Sequence, residues 1–439
     1  MTQLTKDLPE TSESKQIDEC SVVLTSSGVV SRILRTCPVA FITSVSYLAV
    51  IFPMGFIFHN PELPFLTSLY GMAVGAAFVV EMVLWVWTRS YDHASPGKKN
   101  VVQFLQQKEN KKYSARLYYD IGLATMLSGS LTAMIAATMG VGRIDVQIGE
   151  ASVTSPIGNW LVMFRPYIYS GTVLLVWAFL QGACTKRRLF FWIGVAIGLR
   201  LVYVLQIGVT VQIWRYLLFL VFLLVYIGII RIRTVIICLL IVLIAWPTFY
   251  SLRNQIREAS GVRVLQSQSA VDRIRFDLQA GRAADFSPGQ DIGQLTILDI
   301  PRYAVIPRVL DPDRPILGTA RLINYYLFGG TDTSASSFLP VATTWVLYGS
   351  KGLILLYSGW AVLGWVIIHN GKQVTITRLV LFGFFLFNPM GWFTIYPESA
   401  VGFIQNCIAQ VPLMLLVFSV QSINRKGKAK QGLEEQKTF

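Results

Sequence analysis

The stretch IWRYLLFLVFLLVYIGII, residues 213–230, decides the class of fold, because after Arg215 it contains no charged side chain. An α-helix of about 20 apolar residues crosses the ~30 Å hydrocarbon core of a bilayer, whereas a soluble helix would interrupt such a run with a polar face. Similar runs recur along the 439-residue chain, which is 53% hydrophobic and only 14% charged. The sequence therefore predicts an all-α polytopic membrane protein.

Nine further apolar segments accompany this one, so that about ten transmembrane helices are predicted. The first apolar segment begins well inside the chain, which does not match a cleaved signal peptide. The predicted spans are 38–58, 64–88, 117–141, 160–182, 189–209, 213–230, 234–251, 353–369, 377–395 and 400–421.

Lysine and arginine in the short loops set the orientation, because cytoplasmic loops are enriched in both. With ten spans and a cytoplasmic N-terminus, every basic cluster falls on the cytoplasmic side: 89–116, 186–188, 231–233, 372–378 and the tail from Arg425. Both termini are then cytoplasmic. The net charge of +14 largely reflects this distribution, so no nucleic-acid partner is needed to explain it.

One connection is far longer than the others. Residues 252–340 form a polar, outward-facing loop between the seventh and eighth spans, and loops of this size are usually functional. Val264, Val271, Ile274 and Leu278 recur near helical spacing, which predicts an amphipathic helix within the loop. The predicted organisation is a cytoplasmic N-terminal segment 1–37, a seven-helix membrane region 38–251, the loop 252–340, a three-helix membrane region 341–421 with a preceding re-entry segment, and a basic cytoplasmic tail 422–439.

Arginine replaces lysine throughout this loop. It contains ten arginines and no lysine, whereas 13 of the 14 lysines fall on the predicted cytoplasmic side. Arginine presents a planar fork that holds phosphate through two parallel hydrogen bonds. The alternative is that the arginines pair with neighbouring carboxylates such as Asp272 and Asp277 to order the loop. The candidate phosphate ligands are Arg273, Arg275, Arg282, Arg302, Arg308, Arg314 and Arg321.

Three arginines in or beside the spans extend this pattern. Arg165 and Arg215 lie near the outer ends of the fourth and sixth predicted spans, and Arg200 lies about midway along the fifth. An ionisable group inside a span costs roughly 2.5–3.5 kcal/mol on insertion scales, so it usually faces a cavity or a partner. We therefore expect a phosphate-binding cluster in the outer half of the bundle. Snorkelling of Arg165 and Arg215 to lipid headgroups is the alternative.

Carboxylates on the outer side are candidates for a general base. Asp299, Asp311, Asp313 and Glu398 all lie on that side, and a base must reach an acceptor hydroxyl. The chain contains no P-loop, no acidic pair spaced for a nucleotide-sugar metal site and no serine-hydrolase elbow. No metal or cofactor is predicted, and the substrate must arrive already activated.

The sequence also suggests roles for Tyr325 and Glu81. Tyr325, in the aromatic run NYYLF at 324–328, is a candidate for stacking on a sugar ring, although an interfacial aromatic belt has the same composition. Glu81 lies in an apolar stretch near a cytoplasmic helix end, where we expect an ion pair with Arg89.

The segment IPRVLDPDRP, residues 306–315, resembles the Wzy-type polysaccharide polymerases, a bacterial inner-membrane family that includes O-antigen and common-antigen polymerases. In that family a large late outer loop carries a stretch close to I-P-x-x-[IL]-x-P-x-[KR]-P. A Ser-rich segment at 334–340 and YGSKG at 348–352 follow in the family's order, and Arg215 resembles an arginine that begins a helix in many polymerases and ligases. The matching residues are Ile306, Pro307, Leu310, Pro312, Arg314 and Pro315.

The resemblance implies a GT-C-like glycosyltransferase in the bacterial cytoplasmic (inner) membrane, with its active site facing outward. Such an enzyme transfers a growing glycan from undecaprenyl pyrophosphate to another lipid-linked repeat unit. Arginines would then stabilise the pyrophosphate leaving group. The implied partners are the lipid-linked donor and acceptor, membrane lipids, a chain-length regulator and a flippase.

Two other functions remain open from the sequence. An O-antigen ligase or O-oligosaccharyltransferase would use the same donor, but such ligases often depend on a histidine in the large loop, which contains none here. A transporter of lipid-linked sugars would place charge along a central path through both halves of the bundle, whereas this chain concentrates it in one outer loop. A structural subunit of an export complex is a third option.

Overall fold

The computed structural model describes residues 21–23, 29–93, 110–141, 155–259, 269–296, 299–306, 318–330, 337–368, 373–417 and 419. These residues are mainly helical, with one short antiparallel sheet in which β1 (Ser21–Val23) pairs with β2 (Gln373–Thr375). The prediction of a helical membrane protein is thus confirmed, while the count of ten spans and the GT-C likeness stay predictions.

Seventeen helices make up the described part of the chain. In chain order they are α1 (Val29–Thr36), α2 (Pro38–Ser46), α3 (Phe52–Ile57), α4 (Leu63–His93), α5 (Asn110–Thr138), α6 (Pro156–Val162), α7 (Tyr167–Leu180), α8 (Lys186–Ile207), α9 (Val211–Ile227), α10 (Ile232–Ala259), α11 (Phe276–Gly281), α12 (Asp299–Val305), α13 (Thr319–Leu322), α14 (Leu339–Ile368), α15 (Ile376–Phe387), α16 (Glu398–Ala409) and α17 (Val411–Val417). Two π-helical turns, Tyr47–Ile51 and Ile323–Leu327, continue α2 and α13.

Five helical segments are long and apolar enough to cross a membrane. They agree with the first, second, third, fifth and eighth predicted spans, although the last of these begins earlier than expected. The pair α16 and α17, bent by 43° at its junction, would make a sixth. The five segments are Pro38–Ile57, Leu63–Thr88, Ala115–Thr138, Lys186–Ile207 and Leu339–Ile368.

Three apolar helices are shorter than a membrane is thick. α7, α9 and α15 have 14, 17 and 12 residues. The predicted span 160–182 is divided by the turn before α7, where Pro166 takes the N-cap position. The predicted span 377–395 ends at Phe387, since Pro389 disfavours the helical conformation at Asn388. None of the three is long enough to cross a membrane by itself as one straight helix.

Capping residues fix where the central helices begin and end. The Thr185 hydroxyl accepts a hydrogen bond from the Arg188 amide at 3.4 Å and starts α8, which ends at Gly208 with φ +68°. α9 ends in the same way at Gly228, with φ +82°. Glycine adopts this left-handed conformation without steric cost, so both helices stop at defined positions.

Close packing holds α7 against α5. A Cβ at Gly129 of α5 would lie 2.6 Å from the Ile168 amide nitrogen, and one at Gly171 of α7 would meet the Met126 backbone. Small residues let membrane helices approach backbone to backbone. The core continues through α15, whose Phe387 ring lies 4.1 Å from the ring of Tyr169. This packing fixes α7 at the centre of the bundle.

The long loop is folded onto the bundle. The single helix expected from Val264 to Leu278 is not continuous. A 3-10 turn, Asp272–Ile274, is separated from α11 by Arg275, whose backbone is not helical (φ −72°, ψ 66°). Val264 lies outside the described residues. The Asp277 carboxylate accepts a hydrogen bond from the Asn60 amide at 3.0 Å, which joins α11 to the connection before α4.

A break in α14 provides a second attachment for the loop. Gly349 has φ +67° and ψ −176°, so the helical hydrogen bonding is interrupted there. The Val346 carbonyl accepts hydrogen bonds from the Gly289 and Gln290 amides at 2.8 and 2.7 Å. The Leu347 carbonyl accepts one from the Gln294 side chain at 3.3 Å. Loop donors thus satisfy carbonyls beside the break.

Candidate functional site

Three arginines converge where α7, α8 and α9 meet. Arg165 lies in the turn before α7, Arg200 lies on α8, and Arg215 lies in the first turns of α9. The Tyr169 hydroxyl interacts electrostatically with all three guanidiniums. We call this group the arginine cluster: Arg165, Arg200 and Arg215 around Tyr169.

Arg200 is the most deeply buried member, with 2% of its surface exposed. Its Nη2 donates hydrogen bonds to the Gln212 Oε1 at 3.1 Å and to the Tyr169 hydroxyl at 3.4 Å. Its guanidinium carbon also lies 5.0 Å from the centre of the Tyr203 ring, a distance at which the ring attracts a cation. These contacts orient the guanidinium without neutralising its charge.

Arg215 and Arg165 contact partners different from those of Arg200: a backbone carbonyl for Arg215 and a tyrosine phenol for Arg165. The Arg215 Nη2 donates a 2.9 Å hydrogen bond to the Phe393 carbonyl, in the non-helical segment between α15 and α16. Arg165 interacts with the phenol of Tyr203, the residue that also faces Arg200. The cluster therefore joins α7, α8, α9 and the segment after α15.

Buried donors in the cluster lack acceptors. In the described part of the chain, the Nε atoms of Arg200 and Arg215 are buried without a hydrogen-bond partner, as is the indole nitrogen of Trp392. Among the described residues no carboxylate forms an ion pair with the three arginines. Buried polar groups are normally paired, and several cations held together need a counter-charge. The arrangement is suited to binding an anion with several oxygens.

Among the described residues, Arg275 and Arg302 of the long loop contact groups outside this cluster. Arg275 is held by Asp277 through two hydrogen bonds of 2.8 Å, and its guanidinium lies over the Phe58 ring. Asp277 thereby raises the pKa of Arg275. Arg282 is exposed, Arg302 lies over the Tyr303 ring, and Arg321 lies on α13. The side chain of Arg273, and all of Arg308 and Arg314, lie outside the described residues.

The four candidate bases differ in their surroundings, and Asp311 lies outside the described residues. Asp299 begins α12, and its Oδ2 accepts hydrogen bonds from the amide and hydroxyl of Thr296 at 2.9 and 2.7 Å, which lower the pKa of this carboxyl. Glu398 begins α16: one carboxylate oxygen accepts a hydrogen bond from the Thr319 amide, and the other is buried without a partner among the described residues. Asp313 lies outside the described residues.

Sequence reasoning missed several residues of the site. Tyr169 and Gln212 are uncharged, and only their spacing could have suggested them: Tyr169 follows Arg165 by four positions and Gln212 precedes Arg215 by three. Trp392, in the aromatic segment GWFTIYPE at 391–398, was not singled out. The Glu81 carboxylate accepts hydrogen bonds from the Val39 and Ala40 amides at 2.7 and 3.2 Å and so caps α2, a role that the sequence did not suggest. The side chain of Arg89, its expected partner, lies outside the described residues.

A partly open apolar cavity adjoins the cluster. Its volume is about 40 Å³, and it lies between α2, α4, α14 and the segment after α15. Trp392 and Phe393 form part of its wall, and the Phe393 carbonyl is the acceptor for Arg215. Charged and apolar binding surfaces therefore share one short segment.

The fold and this cluster together define a helical membrane protein with a candidate anion site. Comparison with known proteins adds no relative: no family model, no curated protein and no solved structure matches the chain.

Proposed function

We propose that this protein is a membrane-embedded glycosyltransferase that polymerises undecaprenyl-pyrophosphate-linked oligosaccharide repeat units on the outer face of the bacterial cytoplasmic membrane. The observation that carries the proposal is the arginine cluster, in which two buried Nε–H groups lack acceptors in the described residues. A pyrophosphate supplies several oxygens and the negative charge that three neighbouring guanidiniums require.

The apolar cavity supports a lipid-linked substrate. An undecaprenyl pyrophosphate joins a long hydrocarbon chain to a compact, highly charged group. Phe393 lines the cavity and its carbonyl is the acceptor for Arg215, so the hydrocarbon chain would extend along the cavity side of this segment while the pyrophosphate contacts the arginines. Pockets that combine apolar walls with a few fixed polar groups are typical of such ligands.

The proposed reaction needs an acceptor hydroxyl, a base and a stabilised leaving group. The hydroxyl oxygen of the acceptor sugar attacks the anomeric carbon of the donor, and its proton passes to the base. The bond from the anomeric carbon to the phosphate oxygen breaks, and its electron pair leaves with undecaprenyl pyrophosphate. Fixed guanidiniums stabilise this developing charge without reorganising.

Glu398 is the base that the structure favours among the sequence candidates. Its second carboxylate oxygen is buried without a partner among the described residues, whereas the Asp299 Oδ2 already accepts two hydrogen bonds from Thr296. Since that oxygen is buried, the protein around it must shift before an acceptor hydroxyl can reach it.

Product length tests the proposal. The purified protein in nanodiscs would receive the undecaprenyl-pyrophosphate repeat unit alone, without nucleotide, and the products would be resolved on a gel. A ladder of added repeats is the expected result. Transfer only after addition of lipid A core or a protein acceptor would identify a ligase. No transfer with intact substrate would contradict the enzyme and favour a transporter.

A further inference from the structure

Two tyrosines stand out from the long loop beside α13. Tyr325 and Tyr326 are 52% and 60% exposed, and their rings meet edge to face with centres 5.0 Å apart. Both lie on the π-helical turn Ile323–Leu327. Turns of this type are rare and occur often at functional sites. We call Tyr325 and Tyr326 the tyrosine pair.

The segment that carries the tyrosine pair is held at both ends. At its start, the Thr319 amide donates to the Glu398 carboxylate, and Ile323 is fully buried. At its end, the Phe328 ring packs against the rings of Phe286 and Phe338 at 5.6 and 5.3 Å. The two tyrosines are therefore presented by a fixed support.

We infer that the tyrosine pair binds a pyranose ring of the acceptor glycan. A pyranose has an apolar face of C–H groups that packs on an aromatic ring, and its hydroxyls pair with phenol groups. Rings already fixed by their support lose little entropy when the sugar binds. This inference rests on the proposed glycosyltransferase function, and it assigns a location to the acceptor, whereas the arginine cluster holds the donor.

Polar neighbours favour a sugar over lipid chains as the occupant. The first residue of α13 contacts the Glu398 carboxylate, whose other oxygen is buried without a partner among the described residues. A sugar hydroxyl can donate to that oxygen, and a hydrocarbon chain cannot. The short helical path from Thr319 to Tyr325 also places the pair near the proposed base.

Direct binding tests this inference. Full-length protein in detergent would be applied to an immobilised panel of purified bacterial O-antigen and capsule oligosaccharides. We expect wild type to bind at least one of them. Tyr325→Ala with Tyr326→Ala should weaken that binding by about tenfold or more, whereas the double Phe variant should retain most of it because the rings remain.

A matched control is available in the predicted first span. Phe56 is 68% exposed and stacks on Phe52 at 6.1 Å, so Phe56→Ala also removes an exposed paired ring. Binding equal to wild type is expected for this variant. The inference is overturned if wild type binds no oligosaccharide, or if the alanine variants bind normally at an unchanged melting temperature. It is also overturned if Phe56→Ala loses as much oligosaccharide binding as they do, which would indicate that the tyrosines contact lipid.

The same sample separates this inference from the proposed function. Affinity for undecaprenyl pyrophosphate is measured on wild type beside the oligosaccharide panel. Sugar binding without pyrophosphate binding would leave the tyrosine pair as a glycan site and contradict the glycosyltransferase. Pyrophosphate binding without sugar binding would support the arginine cluster as the donor site and contradict the tyrosine pair as a glycan site.

Discussion

Arg200 is a buried cation whose hydrogen bonds all go to neutral groups in the described residues. In Arg200→Lys the charge remains but the fork is lost, so two-point contact with a phosphate is no longer possible. Removing one fixed donor at a developing anion typically costs about 10²–10³ in rate. We expect a loss of that size in repeat-unit transfer, measured as the initial rate of ladder formation.

Arg188 is the matched control for this substitution. It lies on the same helix, α8, but is exposed at its beginning. Arg188→Lys should keep the wild-type rate. Equal rates for wild type and Arg200→Lys, at equal protein levels, would remove Arg200 from the phosphate site.

Glu81 is a buried carboxylate with a structural role. Both of its oxygens accept backbone donors at the start of α2. Hydrogen bonds to charged groups contribute roughly 1.5–3 kcal/mol each, and an unpaired buried N–H adds a further cost. Glu81→Ala should therefore lower the melting temperature of the purified protein clearly, and Glu81→Gln, which keeps one acceptor, should lower it less. Equal melting temperatures for the two variants would contradict the capping role.

The sequence identified charged residues better than it identified their partners. Arg165, Arg200 and Arg215 were expected to form a cluster because intramembrane arginines are rare, and they do. Arg275 matched the alternative, carboxylate pairing, because Asp277 is close in sequence. The two backbone donors of Glu81 lie about 40 positions away, and no local pattern marks such a contact.

At the scale of elements, the break in α14 decides how the loop attaches. Gly349 occupies a region of φ and ψ that is almost restricted to glycine, where other residues cost about 1–3 kcal/mol. Gly349→Ala should favour a continuous helix and release residues 286–296 from the Val346 and Leu347 carbonyls. We expect faster amide hydrogen exchange in residues 286–296.

Gly359 in the same helix provides the comparison. It has regular helical geometry and open space around its Cα, so alanine there should be neutral or slightly stabilising. Slow exchange in residues 286–296 of Gly349→Ala, equal to that of Gly359→Ala, would show that the loop does not depend on the break.

Hydropathy located the short helices as well as the long ones, but it made the spans around α7 and α15 too long, for a physical reason. The segment 377–395 is apolar throughout, yet residues 388–394 are non-helical. Their polar groups form local hydrogen bonds: the Met390 amide donates to the Phe385 carbonyl at 3.0 Å, and the Thr394 hydroxyl donates to the Gly391 carbonyl at 2.8 Å. Irregular backbone is tolerated at membrane depth when protein satisfies it. Tertiary contacts therefore decide such breaks, and composition alone does not reveal them.

For the whole molecule, orientation is the prediction that matters most. Ser287 of the long loop and Arg187 at the start of α8 are both exposed. In a background lacking the five natural cysteines, Ser287→Cys should react with an impermeant maleimide added to intact cells. Arg187→Cys should react only after permeabilisation, because basic loops are retained inside. The reverse labelling pattern would place the arginine cluster on the wrong side for the proposed reaction.

The small sheet has a consequence for the order of assembly. β1 lies near the beginning of the chain, and its partner β2 directly precedes α15. At about 5–20 residues per second, the ribosome reaches β2 roughly 20–70 s after it has made β1. Until then the first strand has no partner at this end of the protein. We conclude that folding at this end of the protein cannot be completed until residues 373–375 have been synthesised, even if the helices before them are already in the membrane.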